Sequence, residues 1–175
     1  VLSCNVTALS PRLSWLLATH DWADIVCVQE THLDGAGWHR AGRLFRNHGV
    51  VGVHSDTTRG PSPLDGRAWQ AQGCSITARS GFGFGAASVP RVPSPFHRRV
   101  VFARVPLWRG GPTVCICSAY GFCHGGQAEA LAANEDLFAW IMEHLLGQPC
   151  LWLLATDCNQ NPATIPALAA AARAG

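Results

Sequence analysis

A chain of 175 residues that is 48% hydrophobic and only 14% charged holds enough apolar matter for one packed domain, and it is neither a disordered tail nor a charged coiled coil. The net charge of +2 points to no particular partner. Purely apolar runs such as Cys150 to Ala155 are far too short to cross a bilayer, so no membrane partner is expected.

The 13 basic residues are all arginine. Guanidinium groups suit bidentate contact with phosphate, although a GC-rich gene would give the same bias. The eight cysteines lie mostly in apolar, strand-like runs such as Ile25-Val26-Cys27-Val28 and Val114-Cys115-Ile116-Cys117. They include no CxxC pair, so they read as small buried hydrophobes in a reduced, intracellular protein rather than as a disulfide framework or a zinc site. The opening residues, Val1 to Val6, lack the Met and basic segment of a signal peptide.

In chain order, Leu2 to Val6 reads as a strand, and Ser10-Pro11 predicts a helix start running to about His20 with Leu13, Leu16 and Leu17 on its apolar side. Asp24 to Gln29 is a short apolar run, hence a buried strand ending at Glu30. Gly35 to Arg46 reads as irregular or weakly helical. His48 to His54 and Gly73 to Ala78 are predicted strands around a Thr/Pro/Gly/Asp-rich loop, 55–72. Arg98 to Val105 and Thr113 to Tyr120 form a predicted hairpin through Trp108-Arg109-Gly110-Gly111-Pro112. The longest helix opens at Gly125-Gly126 and runs to about Leu146, closed by Gly147. Leu151 to Ala155 is again a buried strand, and Pro166 to Ala174 is Ala-rich and helical. Helices alternating with strands around a central hairpin predict a mixed sheet with helices on its outer faces. Because the chain starts inside one such run and stops inside another, it is expected to be a fragment.

Three apolar strands share an ending: Leu2–Val6 carries Asn5, Ile25–Gln29 is followed by Glu30, and Leu151–Ala155 leads to Asp157 and Asn159. Ligands collect at the carboxyl ends of strands in such sheets, so these polar groups are candidates for one cleft. A hard cation such as Mg²⁺ needs only one or two carboxylates and fills its other positions with water and substrate oxygens. Each residue also has a plain structural reading: Glu30 as a turn or helix cap, Asp157-Cys158-Asn159 as an Asx-turn, Asn5 as a partner for neighbouring backbone.

The order of these motifs resembles the endonuclease/exonuclease/phosphatase (DNase I-like) superfamily. The resemblance runs through Ser3-Cys4-Asn5-Val6, Val28-Gln29-Glu30-Thr31-His32, Gln72-Gly73-Cys74-Ser75-Ile76-Thr77, Ser118-Ala119-Tyr120-Gly121 and Ala155-Thr156-Asp157-Cys158-Asn159. It covers residues 1–175 as the N-terminal and central part of that domain, and it implies an α+β fold, a four-layer αββα sandwich lacking its C-terminal strands. Carried over residue by residue, Glu30 would bind a catalytic Mg²⁺ or Mn²⁺ with help from Asn5. Asp157 would orient or deprotonate the attacking water, Asn159 would donate to the phosphate, and Tyr120 would contact the scissile group. The implied reaction is phosphodiester hydrolysis, in an endonuclease of the retroelement or apurinic type with DNA as substrate. Nuclear action would follow only from the retroelement analogy.

The chain departs from that pattern in several places. Thr7 stands where apurinic enzymes often carry a second acid, and Thr156 replaces the Gly before Asp157. Gly121-Phe122-Cys123-His124 follows Tyr120 in place of Pro-Asn, leaving His124 as a substitute phosphate donor or a plain loop residue. The superfamily's final Asp and Ser-Asp-His ending would lie beyond residue 175, so the fragment by itself is expected to be inactive. A non-catalytic remnant and a small-molecule or lipid phosphatase are the alternative readings.

Overall fold

The computed structural model describes residues 1–55, 73–86, 92–108, 110–123 and 128–174. In chain order these form β1 (Leu2–Asn5), α1 (Leu13–Thr19), β2 (Ile25–Gln29), α2 (Gly35–Asn47), β3 (Val50–His54), β4 (Cys74–Arg79) and β5 (Gly85–Ala86). They continue as β6 (Val100–Pro106), β7 (Thr113–Tyr120), α3 (Ala128–Leu146), β8 (Leu151–Asp157) and α4 (Pro166–Ala174). The strands make two sheets of four, ordered β1-β2-β4-β3 and β5-β6-β7-β8. Each sheet is mixed, with one parallel pair at an edge: β1 with β2, and β7 with β8.

Side-chain alternation along the strands decides the layering. On β2, Ile25 and Cys27 face the second sheet and meet a core that includes Ile76, Ala103, Ile116 and Tyr120. The intervening Val26 and Val28 face the other way, against Leu16 of α1 and Trp38 and Phe45 of α2. On the far side, Phe102, Cys115 and Cys117 pack under Leu137, Phe138, Ile141 and Leu145 of α3, with Leu168 and Ala171 of α4 partly buried beside them. Burial on both faces explains why β2 reads as an unbroken apolar run rather than an alternating one. The result is an α+β, four-layer αββα arrangement.

The structure differs from the sequence expectations at particular places. Ser10 is not a side-chain cap; Ser10–Arg12 form a 3₁₀ turn, and the α-helix proper starts at Leu13. Residues 35–47 are a full helix instead of an irregular stretch. Asp34 caps it by accepting from the Gly37 amide at 2.8 Å, and Trp38, Ala41 and Phe45 are buried along one side. Two glycines in the first turn and three arginines concealed that narrow apolar stripe from a composition-based reading. The two-residue β5 gave no sequence signal. The predicted loop over 56–72, the helix opening at Gly125-Gly126 and His124 lie outside the described residues.

All eight cysteines are free. Burial pushes the Cys4 thiol up to about 11 and the Cys27 thiol to about 12, so neither is a ready thiolate. Among the described residues, no helix is long and apolar enough to cross a membrane.

Candidate active site

Strand register sets the site. The parallel β1/β2 pair places Asn5 beside Gln29, and the parallel β7/β8 pair places Tyr120 beside Asp157. With the two sheets stacked, these four strand ends come together at one end of the sheets. Hydrogen bonds cross between the sheets there at three levels among the described residues, the innermost at Ser118, whose hydroxyl also donates to Val28 O at 3.5 Å. In the interior, Gln29 Nε2 donates to Ser118 Oγ at 3.0 Å. Further out, the Tyr120 hydroxyl donates to Glu30 Oε1. At the solvent edge, Asn5 Nδ2 donates to Asp157 Oδ2 at 2.8 Å. Thus residues separated by up to 152 positions in the chain become hydrogen-bond partners.

The two outer strands end in the same local device. The Thr7 amide donates to Asn5 Oδ1 at 3.0 Å, and the Asn159 amide donates to Asp157 Oδ1 at 3.0 Å. Both are Asx-turns, in which a short side chain receives the amide two residues on and folds the chain back. The plain structural reading of Asp157-Cys158-Asn159 therefore holds, and it leaves Oδ2 of Asp157 directed at the partner sheet. The residues after β1, β2 and β8 also have unusual backbone. Among the described residues, the non-glycine residues with left-handed φ are Thr7 (56°), Glu30 (57°), His32 (52°) and Asn159 (53°). Each such residue costs on the order of 1–3 kcal/mol, and concentration of that strain at strand ends around one cleft is the pattern of a functional site.

Behind the cleft, the segment after Tyr120 is held from several sides. The Gly121 amide donates to Asp157 O at 2.7 Å, and Asn159 Nδ2 donates to Gly121 O at 2.9 Å. Arg99 is fully buried, and its Nη1 donates to Gly121 O at 2.7 Å and to Tyr120 O at 3.2 Å. Its guanidinium also lies 3.8 Å from the Phe122 ring centroid. Desolvation brings Arg99 down to about 10, which leaves it cationic at neutral pH. The Tyr120 hydroxyl also meets Cys123 Sγ at 2.8 Å. Burial, followed by the hydrogen bonds to Cys123 and Glu30, raises the Tyr120 phenol well above its ordinary range, so it is a donor throughout the physiological range.

The structure thus brings together Asn5, Glu30, Tyr120, Asp157 and Asn159. His124 lies outside the described residues. Sequence reasoning passed over Gln29 and Ser118, the buried Arg99, and Cys123 against the phenol. Their common signal was present: a polar residue within or next to an otherwise apolar strand, which is the informative exception to burial patterning. Among the described residues, nothing hydrogen-bonds to the buried polar atoms Thr31 Oγ1 and His32 Nε2, directly after Glu30. Such atoms beside a cleft mark unused polar capacity. The donor set itself, two carboxylates and two side-chain amides, consists of hard oxygen ligands of the kind Mg²⁺ prefers. Among the described residues, no group of three or more His, Cys, Asp or Glu side chains that could hold a metal ion is present.

No family model matches the chain, and no curated protein matches it in sequence. Solved structures do match in shape. The 3'-5' exonuclease NExo from Neisseria meningitidis superposes with a TM-score of 0.62 at 22% identity, over 92% of this chain and 57% of its own length. A Neisseria 3' phosphatase NExo bound to a product DNA hairpin gives 0.58 at 22% identity, covering 93% of this chain and 58% of that one. An AP endonuclease from Archaeoglobus fulgidus gives 0.56 at 20% identity, covering 92% and 57%. The chain therefore has the DNase I-like fold and spans somewhat more than half the length of these structures.

Proposed function

We propose that this chain carries part of a metal-assisted phosphodiesterase site of the endonuclease/exonuclease/phosphatase type, with nucleic acid, specifically DNA, as substrate. The observation that carries the reading is the cross-sheet meeting of Glu30 with Tyr120 and of Asp157 with Asn5, at strand ends where the backbone is strained. The DNA hairpin in the Neisseria structure of the same fold supports the substrate class.

In this reading Glu30 and Asn5 would hold a divalent cation, whose chemistry when bound is neutralisation of charge on the phosphoryl oxygens. The chain's own residues supply the rest. Asp157 has both oxygens fixed, one by the Asn159 amide and one by Asn5 Nδ2. Its remaining lone pairs accept a proton from a water and aim that water at phosphorus. Tyr120, protonated and almost wholly buried with its hydroxyl against Glu30 and Cys123, donates to a phosphate oxygen once a substrate displaces Glu30. Asn159 donates to Gly121 O and also faces the Tyr120 phenol, and in this reading it turns an amide hydrogen to the phosphate when substrate enters. Positioning of this kind accounts for rate because water at neutral pH is a poor nucleophile.

A second reading, nucleic-acid binding without cleavage, is favoured by one observation. Gly121-Phe122-Cys123 follows Tyr120 in place of Pro-Asn, so no asparagine donor stands there, and the Cys123 sulfur meets the phenol at 2.8 Å. Incubating the domain, extended to the length of its structural neighbours, with supercoiled plasmid separates the readings. Hydrolysis predicts nicking that requires Mg²⁺, stops with EDTA, and falls about a hundredfold or more in Glu30→Ala and Asp157→Ala. Retention of plasmid without nicking would establish binding alone, and cleavage that survives both substitutions would overturn the site assignment. Hydrolysis of inositol phosphates with no action on DNA would correct the substrate class.

A further inference from the structure

Asn134 lies near the start of α3 among apolar neighbours, with Ala130, Leu137 and Phe138 on the same buried side. Its side chain is completely buried. An amide in such a place is costly unless each polar atom is engaged, and here each one is. Its Oδ1 accepts from the Phe122 amide at 2.6 Å. Its Nδ2 faces Phe122 O at 3.2 Å, Cys158 O at 3.4 Å and Gln160 Oε1 at 2.8 Å.

The partners divide between two segments. Phe122 is two residues after Tyr120, and Cys158 and Gln160 flank Asn159 just after Asp157. One side chain from a helix outside the cleft thus joins the loop after β7 to the loop after β8. The loops are also in direct contact. A Cβ on Gly121 would sit 2.4 Å from Cys158 O and 3.0 Å from Asn134 Oδ1, so only glycine allows the approach.

We infer that Asn134 is a positioning residue of the site, locking the Gly121–Cys123 and Cys158–Gln160 segments together so that Tyr120 and Asp157 keep one fixed relation. A buried asparagine that merely satisfied backbone groups would bond to one neighbouring segment. Asn134 instead joins the two segments that carry the site's chemistry, as supporting groups do where a constellation must be held to a fraction of an ångström. The catalytic part of this inference rests on the phosphodiesterase reading; the locking part does not.

Two variants of the full chain separate these parts. Asn134→Asp keeps an oxygen for the Phe122 amide and loses the N–H donors; Asn134→Ala loses both. Hydrogen exchange should quicken at Asn159 in both variants and at Phe122 only in Asn134→Ala, with amides of β4 and β6 unchanged. In plasmid nicking, kcat should fall about tenfold or more in both variants, with KM within about twofold, at a temperature where each is folded. Unchanged exchange at Asn159, or a uniform rise across both sheets, would overturn the lock. Altered exchange with kcat unchanged would overturn the positioning role. A wild-type chain that does not nick DNA counts against the phosphodiesterase reading, while the exchange pattern still decides whether the loops are locked. If neither Asn134 variant folds, Gln160→Ala removes one of the four contacts. It should quicken exchange at Asn159 and leave Phe122 protected; no change at Asn159 would overturn the lock.

Discussion

Gly121→Ala tests the geometry of the cleft most directly, because a single methyl group would enter a space the structure shows to be filled. The added Cβ would lie 2.4 Å from Cys158 O and 2.7 Å from Cys158 C, against an ordinary contact of 3.4 Å or more. The two loops must therefore part by about 1 Å, and backbone on both sides leaves no flexible side chain to yield. Overpacking of that kind costs about 1–3 kcal/mol. Stretching the 2.7 Å bond from the Gly121 amide to Asp157 O adds about 1 kcal/mol. A total of about 2–4 kcal/mol corresponds to a fall in Tm of roughly 5–15 °C for a domain of this size. Because the displacement lies between Tyr120 and Asp157, plasmid nicking should drop by about tenfold to a hundredfold even where the variant is fully folded. Gly81→Ala is the control: nothing lies within 4 Å of its Cβ position, so its Tm should move by no more than about 2 °C. Thermal unfolding and nicking rates of the two variants, measured side by side, check the argument. A Gly121→Ala protein as stable and as active as wild type would refute it, since the two loops could not then be packed as described.

Tyr120 is the chain's single tyrosine, so its phenolate absorbance can be followed without interference from another phenol. The folded phenol is raised, so its contribution to stability is complete below the ordinary tyrosine value near 10 and is lost as pH rises through the raised one. Glu30→Gln should bring the titration back toward the ordinary range; an unmoved curve would mean that the carboxylate does not act on the phenol. His20 shows the opposite sign. Burial lowers its pKa, so the stability it contributes is present above the ordinary imidazole value and lost as pH falls through the lowered one. Urea unfolding of wild type should weaken on going from neutral to mildly acidic pH, more steeply than that of His20→Gln. Arg99→Met should cost about 2–4 kcal/mol in urea unfolding, because it removes a donor to Tyr120 O, one of the two side-chain donors to Gly121 O, and the stacking on Phe122. A loss within about 0.5 kcal/mol would show that the buried cation is not what holds that segment.

Most of the fold could be read along the chain. Periodicity marked every strand of four or more residues, because burial of β2 on both faces and of β6 and β7 against two layers leaves a local apolar run. What escaped were elements whose cause is not local. Helix α2 owes its stability to three side chains seated on β2 and β3, and the stretch between them looks polar and glycine-rich. The short β5 exists only because Arg104 and Ala103 of β6 offer it partners.

The same division runs through the site. The sequence by itself determined which groups stand at strand ends: Asn5, Glu30, Tyr120, Asp157 and Asn159 each follow or close an apolar run, and that pattern is a local property of side-chain burial. Only the tertiary structure decided which of them meet. Register within each sheet and the stacking of one sheet on the other pair Asn5 with Asp157 and Glu30 with Tyr120, relations between residues far apart in the chain. The same is true of Asn134 and Arg99, whose partners are backbone atoms of loops they do not adjoin. A one-dimensional pattern marks where apolar residues run; it records neither how deeply each is buried, as the exposed Leu151 and Trp152 of the expected buried strand β8 show, nor which surface it is buried against.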